Sequence, residues 1–340
     1  MAEPVTIGAP APAVTASSRP QDHLRPFPPV CTSPTAQCGA GNASEVYTHA
    51  TESNHQNGAV YEHAASETDE TIPALPIVIA RIHARVQAFL AEEHAPNSLL
   101  ASVQHQTRTS LDVVAKALST YKLSELSLSY NGGKDCLVLL ILFLAGLHPY
   151  TSHVQAAENN DQDTTPDTII DREIPDIPAI YALPPDPFPA VEDFVVSSAS
   201  AYHLSITKYT TAPPSTTLRS SFEDYLAKHP RIRAIFVGTR RTDPHGARLT
   251  HFDRTDHGWP DFMRVHPVID WHYAEIWAFI RHLGLTYCSL YDMGYTSLGG
   301  TSDTHPNPRL RVSAEANGAG EGYLPAYELT HDLEERLGRN

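Results

Sequence analysis

The chain has 340 residues, with 24 basic against 39 acidic side chains and a formal net charge of −15. That excess of negative charge argues against nucleic acid or an anionic membrane as the main partner. The length allows one large domain or two small ones, and the 41% hydrophobic fraction supplies a core that is unevenly spread along the sequence.

Residues 1–72 are rich in Pro, Ala, Ser, Thr and His and lack apolar periodicity, so a disordered tail is expected there. Cys31 and Cys38 lie in this tail, without the Cys-x-x-Cys spacing of a zinc or redox site. Cys136 and Cys288 sit in apolar contexts and are expected to pack. The pattern is that of a reduced, cytoplasmic protein. The longest apolar run, Cys136–Gly146, is too short to cross a bilayer. The N-terminus lacks the basic and apolar regions of a secretory signal.

Order is expected from Pro76 onward, in one catalytic domain spanning 76–340. Ile82, Val86, Phe89 and Leu90 follow the spacing of an amphipathic helix. A second helix follows Pro96, with Leu100, Val103, Leu111, Val114 and Leu118 near one face. Strands then alternate with helices. Strands are expected at Leu126–Tyr130, Ala179–Leu183, Ser205–Tyr209 and Ile232–Val237. Helices are expected at Lys134–Leu147, Val191–Tyr202, Ser220–Lys228 and Trp271–Leu283. Residues 151–176 are acidic and polar and read as a surface insertion. Residues 285–340 are loop-rich and are expected to wrap the site. Such alternation implies an α/β fold with a parallel sheet and right-handed crossovers, whose ligands bind beyond the carboxyl ends of the strands.

The most informative stretch is Leu126-Ser-Leu-Ser-Tyr-Asn-Gly-Gly-Lys-Asp135. A strand running through a Gly-Gly turn into a helix makes an anion site. The glycines admit phosphate oxygens to backbone N–H groups, and the helix dipole favours negative charge. The stretch lacks the spacing of a Walker phosphate loop and the Gly-x-Gly-x-x-Gly dinucleotide fingerprint. It resembles the PP-loop, Ser-Gly-Gly-x-Asp-Ser, of enzymes that cleave ATP between its α- and β-phosphates. Its departure to Tyr130-Asn-Gly-Gly-Lys-Asp-Cys136 is similar to one branch of that superfamily, the eukaryotic FAD synthases related to phosphoadenylylsulfate reductases.

Three further blocks carry the same resemblance. They are Val237-Gly-Thr-Arg-Arg-Thr-Asp-Pro244, Thr255-Asp-His-Gly-Trp-Pro-Asp-Phe-Met-Arg264 running on to Trp271, and Tyr287 to Gly300 followed by Pro306-Asn-Pro-Arg-Leu310. The terminal Glu335-Arg-Leu-Gly-Arg339 resembles the family's C-terminal Glu-Arg-x-x-Arg. Residues 1–75 carry no resemblance.

The resemblance implies a Rossmann-like PP-loop sheet and transfer of the adenylyl group of ATP to FMN, giving FAD and pyrophosphate, with Mg²⁺. Asn131, Gly132 and Gly133 would cradle the triphosphate, flanked by Ser129, Tyr130, Lys134 and Gly238. Asp135 and Asp243 would serve the metal or orient phosphate. Arg240 and Arg241 suit phosphate by their planar forks of donors, and Arg336 and Arg339 would fold back toward it. Trp259 offers a ring for the isoalloxazine, Asp256 an acceptor for its N–H edge, and Arg264 a donor to phosphate or a flavin oxygen. Trp271 and Trp277 read as structural. A net charge of −15 is awkward for two polyanionic substrates, so binding must rest on local cations, helix N-termini and the metal. A monomer is expected. No riboflavin kinase module is apparent, so FMN is expected from another protein.

Rival readings are weaker. A phosphoadenylylsulfate reductase needs a nucleophilic cysteine in a C-terminal Glu-Cys-Gly-x-His segment, and no cysteine follows Cys288. A tRNA-thiolation enzyme needs Cys-x-x-Cys and a basic surface. A non-catalytic flavin- or nucleotide-binding protein of the same fold would have no need to keep Asn131, Asp135, Arg240 and Asp243 together. His245, His251 and His257 are evenly spaced but lack metal-site spacing.

Overall fold

The computed structural model describes residues 59–60, 72–158, 176–256, 258–312 and 322–340, of which 59–60 and 149–158 by their backbone alone. The expected tail and most of the 151–176 insertion lie outside the described residues. Two tail residues that are described, β1 (Ala59–Val60), run antiparallel to the edge of the main sheet at Thr207 and Lys208.

α1 (Leu75–Leu90) and α2 (Leu99–Thr120) come first. The apolar stripe of α1 is buried as its periodicity requires, at Val78, Ile79, Ile82, Val86 and Phe89. α2 begins where Ser98 Oγ accepts the Ala101 N–H at 3.2 Å, an N-cap that satisfies one orphan donor. Its buried face is Val103, Thr107, Ser110, Val114 and Ala117, with Leu100, Leu111 and Leu118 at the margin.

The main sheet follows. β2 (Leu126–Ser129), β3 (Ile177–Leu183), β4 (Leu204–Thr210), β5 (Ala234–Val237), β6 (Phe252–Arg254) and β7 (Met263–Val265) join β1 in the order β1-β4-β3-β2-β5-β7-β6. The five strands β4, β3, β2, β5 and β7 are parallel, and the edges β1 and β6 are antiparallel. Between them run α3 (Lys134–Glu158), α4 (Pro189–Tyr202) and α5 (Leu218–Lys228), and α6 (Tyr273–His282) follows β7. Successive strands step outward from β2 to β3 to β4, then the chain returns to place β5 on the other side of β2. The order reverses between β2 and β5, which is where such sheets open a ligand crevice.

Strand alternation sorts the helices. Leu128 and Tyr130 share a face with α3 and α4: Tyr130 Oη donates to Ser198 Oγ of α4 at 2.9 Å, and Phe143 of α3 packs edge-on against Phe236 of β5. Ser127 faces the opposite way and shares a 2.7 Å hydrogen bond with Tyr225 of α5. α3 packs against α1, α2 and α6 as well as the sheet. That position explains why Leu137 through Leu144 are all buried. Each such side chain contributes roughly 1.5–3 kcal/mol by burial.

Two departures have physical reasons, and a third is a short added ladder. α3 runs to Glu158 rather than ending at Leu147. Pro149 lacks an N–H and ordinarily ends a helix at about 3 kcal/mol, so the sequence suggests a stop that the fold overrides. The hairpin β6–β7 was not expected, because three-residue strands show no alternation that periodicity can detect. β8 (Arg311–Val312) and β9 (Gly322–Tyr323) form a separate two-stranded ladder. Among the described residues, the rest of 285–340 is turns and short 3₁₀ segments, as expected.

Candidate active site

The turn after β2 and the loop after β5 meet at the reversal point. A side chain at Gly238 would place its Cβ 3.0 Å from Cys136 Sγ and 3.1 Å from the Cys136 backbone nitrogen. The β5 loop is thus pressed against the first turn of α3, as the expectation of one shared crevice required. Gly132 has φ +71°, and a Cβ there would stand 2.8 Å from Val195 of α4. Only glycine makes this turn without strain. Ser129 closes β2 beside Ile180 and Val237.

Asn131 is exposed at the tip. Its Oδ1 accepts the Gly133 N–H at 3.0 Å. That bond engages the amide oxygen and leaves Nδ2 as the end with hydrogens to donate. Lys134 N–H donates to the buried Tyr291 hydroxyl at 2.9 Å, which docks the 3₁₀ turn Ser289–Met293 on the helix start.

Behind the turn lies a buried ionic cluster. Lys134 is 2% exposed and Arg240 0%. Lys134 Nζ contacts Asp135 Oδ2 at 3.0 Å and Glu335 Oε1, and stands 5.1 Å from the centre of the Tyr273 ring. Arg240 Nε lies 2.8 Å from Asp135 Oδ1. Its other nitrogens reach Glu335, Asp332 at 3.4 Å and Asp243 at 3.6 Å. Asp243 Oδ2 also accepts the Arg240 backbone N–H at 2.8 Å, closing the β5 loop. Four carboxylates therefore surround two cations. Burial alone would raise the Asp135 carboxyl, but the Arg240 guanidinium and Lys134 ammonium outweigh it and hold Asp135 below the usual range. Burial alone would lower Lys134; Asp135 and Glu335 outweigh it and hold the ammonium above its usual value.

Several expected residues stand elsewhere. Tyr130 does not line the turn: it is buried, and its hydroxyl bonds to Ser198. Lys134 is no exposed phosphate ligand but a buried member of the cluster. Arg241, next to the buried Arg240, points outward; its Nε donates to Asp270 at 2.6 Å and its Nη1 to the Leu249 carbonyl at 2.8 Å. The Arg240–Arg241 pair is split between cluster and surface. The C-terminal segment does fold back, but its Glu335 side chain, not its arginines, enters the cluster. Arg339 binds the Leu298 carbonyl at 3.0 Å and Asp303 at 2.8 Å, and Arg336 is exposed.

Asp256, Trp259 and Arg264 form a second group on the β6–β7 hairpin. The turn carrying Asp256 and Trp259 enters β7 at its amino end, whereas Asn131 and Gly238 leave the sheet at carboxyl ends. Trp259 is 37% exposed, with its ring edge-on to Phe222 at 6.1 Å, over the stacked Phe222–Phe262 pair. Arg264 Nε donates to the Asp253 carbonyl at 3.3 Å. Trp271 and Trp277 are core residues, as expected. Cys288 is buried and Cys136 half-buried; burial pushes their thiols up to about 11 and about 12. Sequence reasoning missed Tyr291, Asp332 and Glu335 as members of the site. The signal for Glu335 lies in the Glu-Arg-x-x-Arg motif, whose glutamate rather than its arginines meets the cluster.

The donor set fits a hard divalent cation. Its carboxylates supply oxygen ligands only and exceed the cations in number, with Asp135 Oδ1 already 2.8 Å from Arg240 Nε.

Comparison with known proteins agrees with this geometry. Residues 125–306 match the family model described as the phosphoadenosine phosphosulfate reductase domain. The chain is 41% identical to a probable FAD synthase of Schizosaccharomyces pombe, across 72% of this chain and 83% of the relative. It is 37% identical to the flavin adenine dinucleotide synthase of Saccharomyces cerevisiae, across 55% of this chain and 60% of the relative. Its fold is similar to that of a Candida glabrata FMN adenylyltransferase crystallised with FAD and inorganic pyrophosphate. That likeness has a TM-score of 0.68 at 27% identity and covers 80% of this chain and 99% of the other.

Proposed function

The chain belongs to the fungal-type FAD synthases of the PP-loop family, and we propose that the turn after β2 and the buried cluster behind it carry the family's adenylyl transfer here. The reaction joins FMN and ATP to give FAD and pyrophosphate. A phosphate oxygen of FMN attacks the α-phosphorus in line. The bond from that phosphorus to the oxygen bridging the α- and β-phosphates breaks, and pyrophosphate leaves with the electron pair. The nucleophile is already an anion, so no general base is needed. What remains for the protein is alignment and neutralisation of charge.

The observation that carries this reading is the junction at the sheet's reversal point. There the Gly238 loop abuts the start of α3, and Arg240 is locked against Asp135. Gly132 and Gly133 let the triphosphate approach the backbone at the N-terminus of α3. Asn131 Nδ2 donates to an oxygen of the phosphate under attack. Arg240 stays charged at any working pH, since Asp135 and Glu335 raise it despite the burial that opposes them. It holds Asp135 and Asp243 in fixed orientation. Asp135 and Asp243 would hold Mg²⁺, which when bound supplies charge neutralisation at the phosphates. Trp259, Asp256 and Arg264 would receive the flavin, through the exposed part of the indole and the polar groups beside it. Arg336, exposed and next to Glu335 in sequence, would reach toward the phosphates.

The protein with FMN, ATP and Mg²⁺ should yield FAD and pyrophosphate in equal amounts by chromatography. Unchanged FMN would overturn the assignment. Sulfite release from phosphoadenylylsulfate with a thiol donor would favour the reductase branch instead.

A further inference from the structure

A second group of ligating side chains gathers at the far end of α6. The connection leaving α1 carries Glu92 and His94, and α6 ends on His282. His94 Nε2 lies 3.0 Å from Glu92 Oε2, and His282 Nε2 lies 2.8 Å from the same oxygen. One ligand atom from each of the three residues falls within 4.8 Å of the others. Two imidazoles from distant parts of the sequence thus converge on one carboxylate oxygen.

The group is held in place from several sides. Phe89 packs against both rings, with centroids 6.2 Å from His94 and 5.0 Å from His282, and the two imidazoles meet edge to face at 6.0 Å. The buried Gln104 amide donates to the Phe89 carbonyl at 2.7 Å and to the Glu92 carbonyl at 2.9 Å. A core side chain therefore fixes the backbone that presents Glu92. Arg281, the cation adjacent in sequence, is drawn away over the Tyr327 ring at 3.7 Å.

We propose that Glu92, His94 and His282 bind a divalent transition-metal ion, with zinc the ion that matches. Two imidazole nitrogens and one carboxylate oxygen are a borderline-soft donor set. Zinc takes such sets readily, and magnesium, which prefers oxygen alone, does not. Metal–ligand bonds of roughly 2.0–2.2 Å in a tetrahedron put ligand atoms about 3.3–3.5 Å apart. The present 2.8 and 3.0 Å separations reach that with small side-chain rotations. Both rings then take the Nδ1–H tautomer, turning the Nε2 lone pairs to the ion. Glu92 and His282 are exposed, so water takes the fourth position. The ion clamps the α1–α2 connection to the end of α6. The other end of α6 carries Tyr273, whose ring faces Lys134. At 1.5 Å per residue the clamp lies about 15 Å along α6 from Tyr273, so it stabilises the fold and takes no part in transfer.

The test uses the full chain, freed of metal with a chelator that is then removed, and titrated with zinc chloride in a calorimeter. Thermal midpoints are measured alongside. The wild type should take up zinc with micromolar affinity or better and melt higher with zinc than without. His94→Ala and His282→Ala should each weaken that uptake at least tenfold and abolish the rise in midpoint. His105→Ala, an exposed histidine of α2 outside the group, should change neither. FAD formation should be unaltered in all three, which also reports that each variant is folded. Should an alanine variant fail to fold, Glu92→Gln decides, since it keeps the side chain's shape and removes only the anionic ligand. Zinc uptake equal in wild type and variants would place any bound ion elsewhere in the chain and overturn the proposal. No uptake by the wild type at tens of micromolar zinc would overturn it too, leaving the three residues as hydrogen-bonded pairs.

Discussion

Glu335 makes the sharpest test of the buried cluster. Its carboxylate touches both Lys134 Nζ and Arg240 Nη2, and all three side chains are buried. Glu335→Ala leaves two desolvated cations short of one partner. Breaking a buried pair from one side costs about 3–5 kcal/mol. Asp135, Asp243 and Asp332 remain around Arg240, so the lower end, about 3 kcal/mol, applies. The backbone should not move, because the Glu335 carbonyl is held separately by the Thr296 hydroxyl and the Asn307 amide. For a folded unit of this size, each kcal/mol shifts the midpoint by roughly 2–4 °C. The variant should therefore melt about 6–12 °C lower in circular dichroism. Lys134→Ala with Glu335→Ala should cost clearly less than the two single losses added together, since residues in direct contact are coupled by about 0.5–3 kcal/mol. A drop under about 2 °C, or strict additivity, would refute the reasoning. Either would mean that the C-terminal carboxylate is solvated and that Lys134 and Arg240 face the crevice unpaired.

Three further outcomes follow from the same geometry. Asn131→Ala should leave the melting temperature within about 2 °C and slow FAD formation on the order of 10²–10³-fold, the usual loss for one transition-state donor. Asp135→Ala should lower both, because it also strips Arg240 of a partner, so a variant that melts normally would contradict the cluster. Trp259→Ala should weaken FMN binding several-fold while sparing ATP, measured by fluorescence titration; equal losses for both ligands would place the flavin elsewhere. Stability should fall in two stages on acidification. Burial lowers the buried His266, so its contribution fades as pH drops through the ordinary histidine value near 6.5. Asp135, held low, contributes fully above the ordinary aspartate value near 3.9 and is lost only as pH falls through its own lower one. A midpoint that does not move between pH 7 and pH 5 would refute the first stage.

The sheet and its crevice were legible because each depends on short-range pattern. Strand runs between glycine turns and helical stripes located β2 to β5, and the Gly-Gly turn located the helix start. Tyr130 could not be assigned to a face that way. It follows Ser129 directly, and only its position in line with Leu128 shows that it enters the core beside α4. Arg240 and Arg241 read as a pair, yet adjacent residues on an irregular loop point to different environments. One meets Asp135 and the other Asp270. Glu335 lies 201 positions from Lys134, and apart from the terminal Glu-Arg-x-x-Arg motif nothing in the sequence ties a C-terminal glutamate to a loop that far away. His94 and His282 were invisible as a pair for the same reason. The evenly spaced His245 and His251, by contrast, belong to no three-residue ligand group among the described residues.

The charge balance of the cluster bears on how an acidic protein holds two polyanions. With four carboxylates around two buried cations, the ground behind the phosphate turn carries a net negative charge. Two like charges about 4 Å apart at an effective dielectric of 20 repel by roughly 4 kcal/mol. A triphosphate arriving beside Asp135 would meet that repulsion, and the backbone donors of one helix start, worth about 0.3–1 kcal/mol in dipole attraction, do not offset it. Lys134 and Arg240 are already engaged and add little to a new anion. A divalent cation held by Asp135 and Asp243 would offset that repulsion. ATP should therefore bind at least tenfold more weakly when Mg²⁺ is removed with a chelator, measured by calorimetry in the absence of FMN so that no turnover intervenes. The dependence should weaken in Asp135→Asn, where one repelling carboxylate, and with it one of the two oxygen donors proposed for the metal, is removed. Equal affinity for ATP with and without Mg²⁺ in the unaltered protein would show that Asn131, Gly132 and Gly133 suffice for the triphosphate and that the carboxylates of the cluster serve the fold alone.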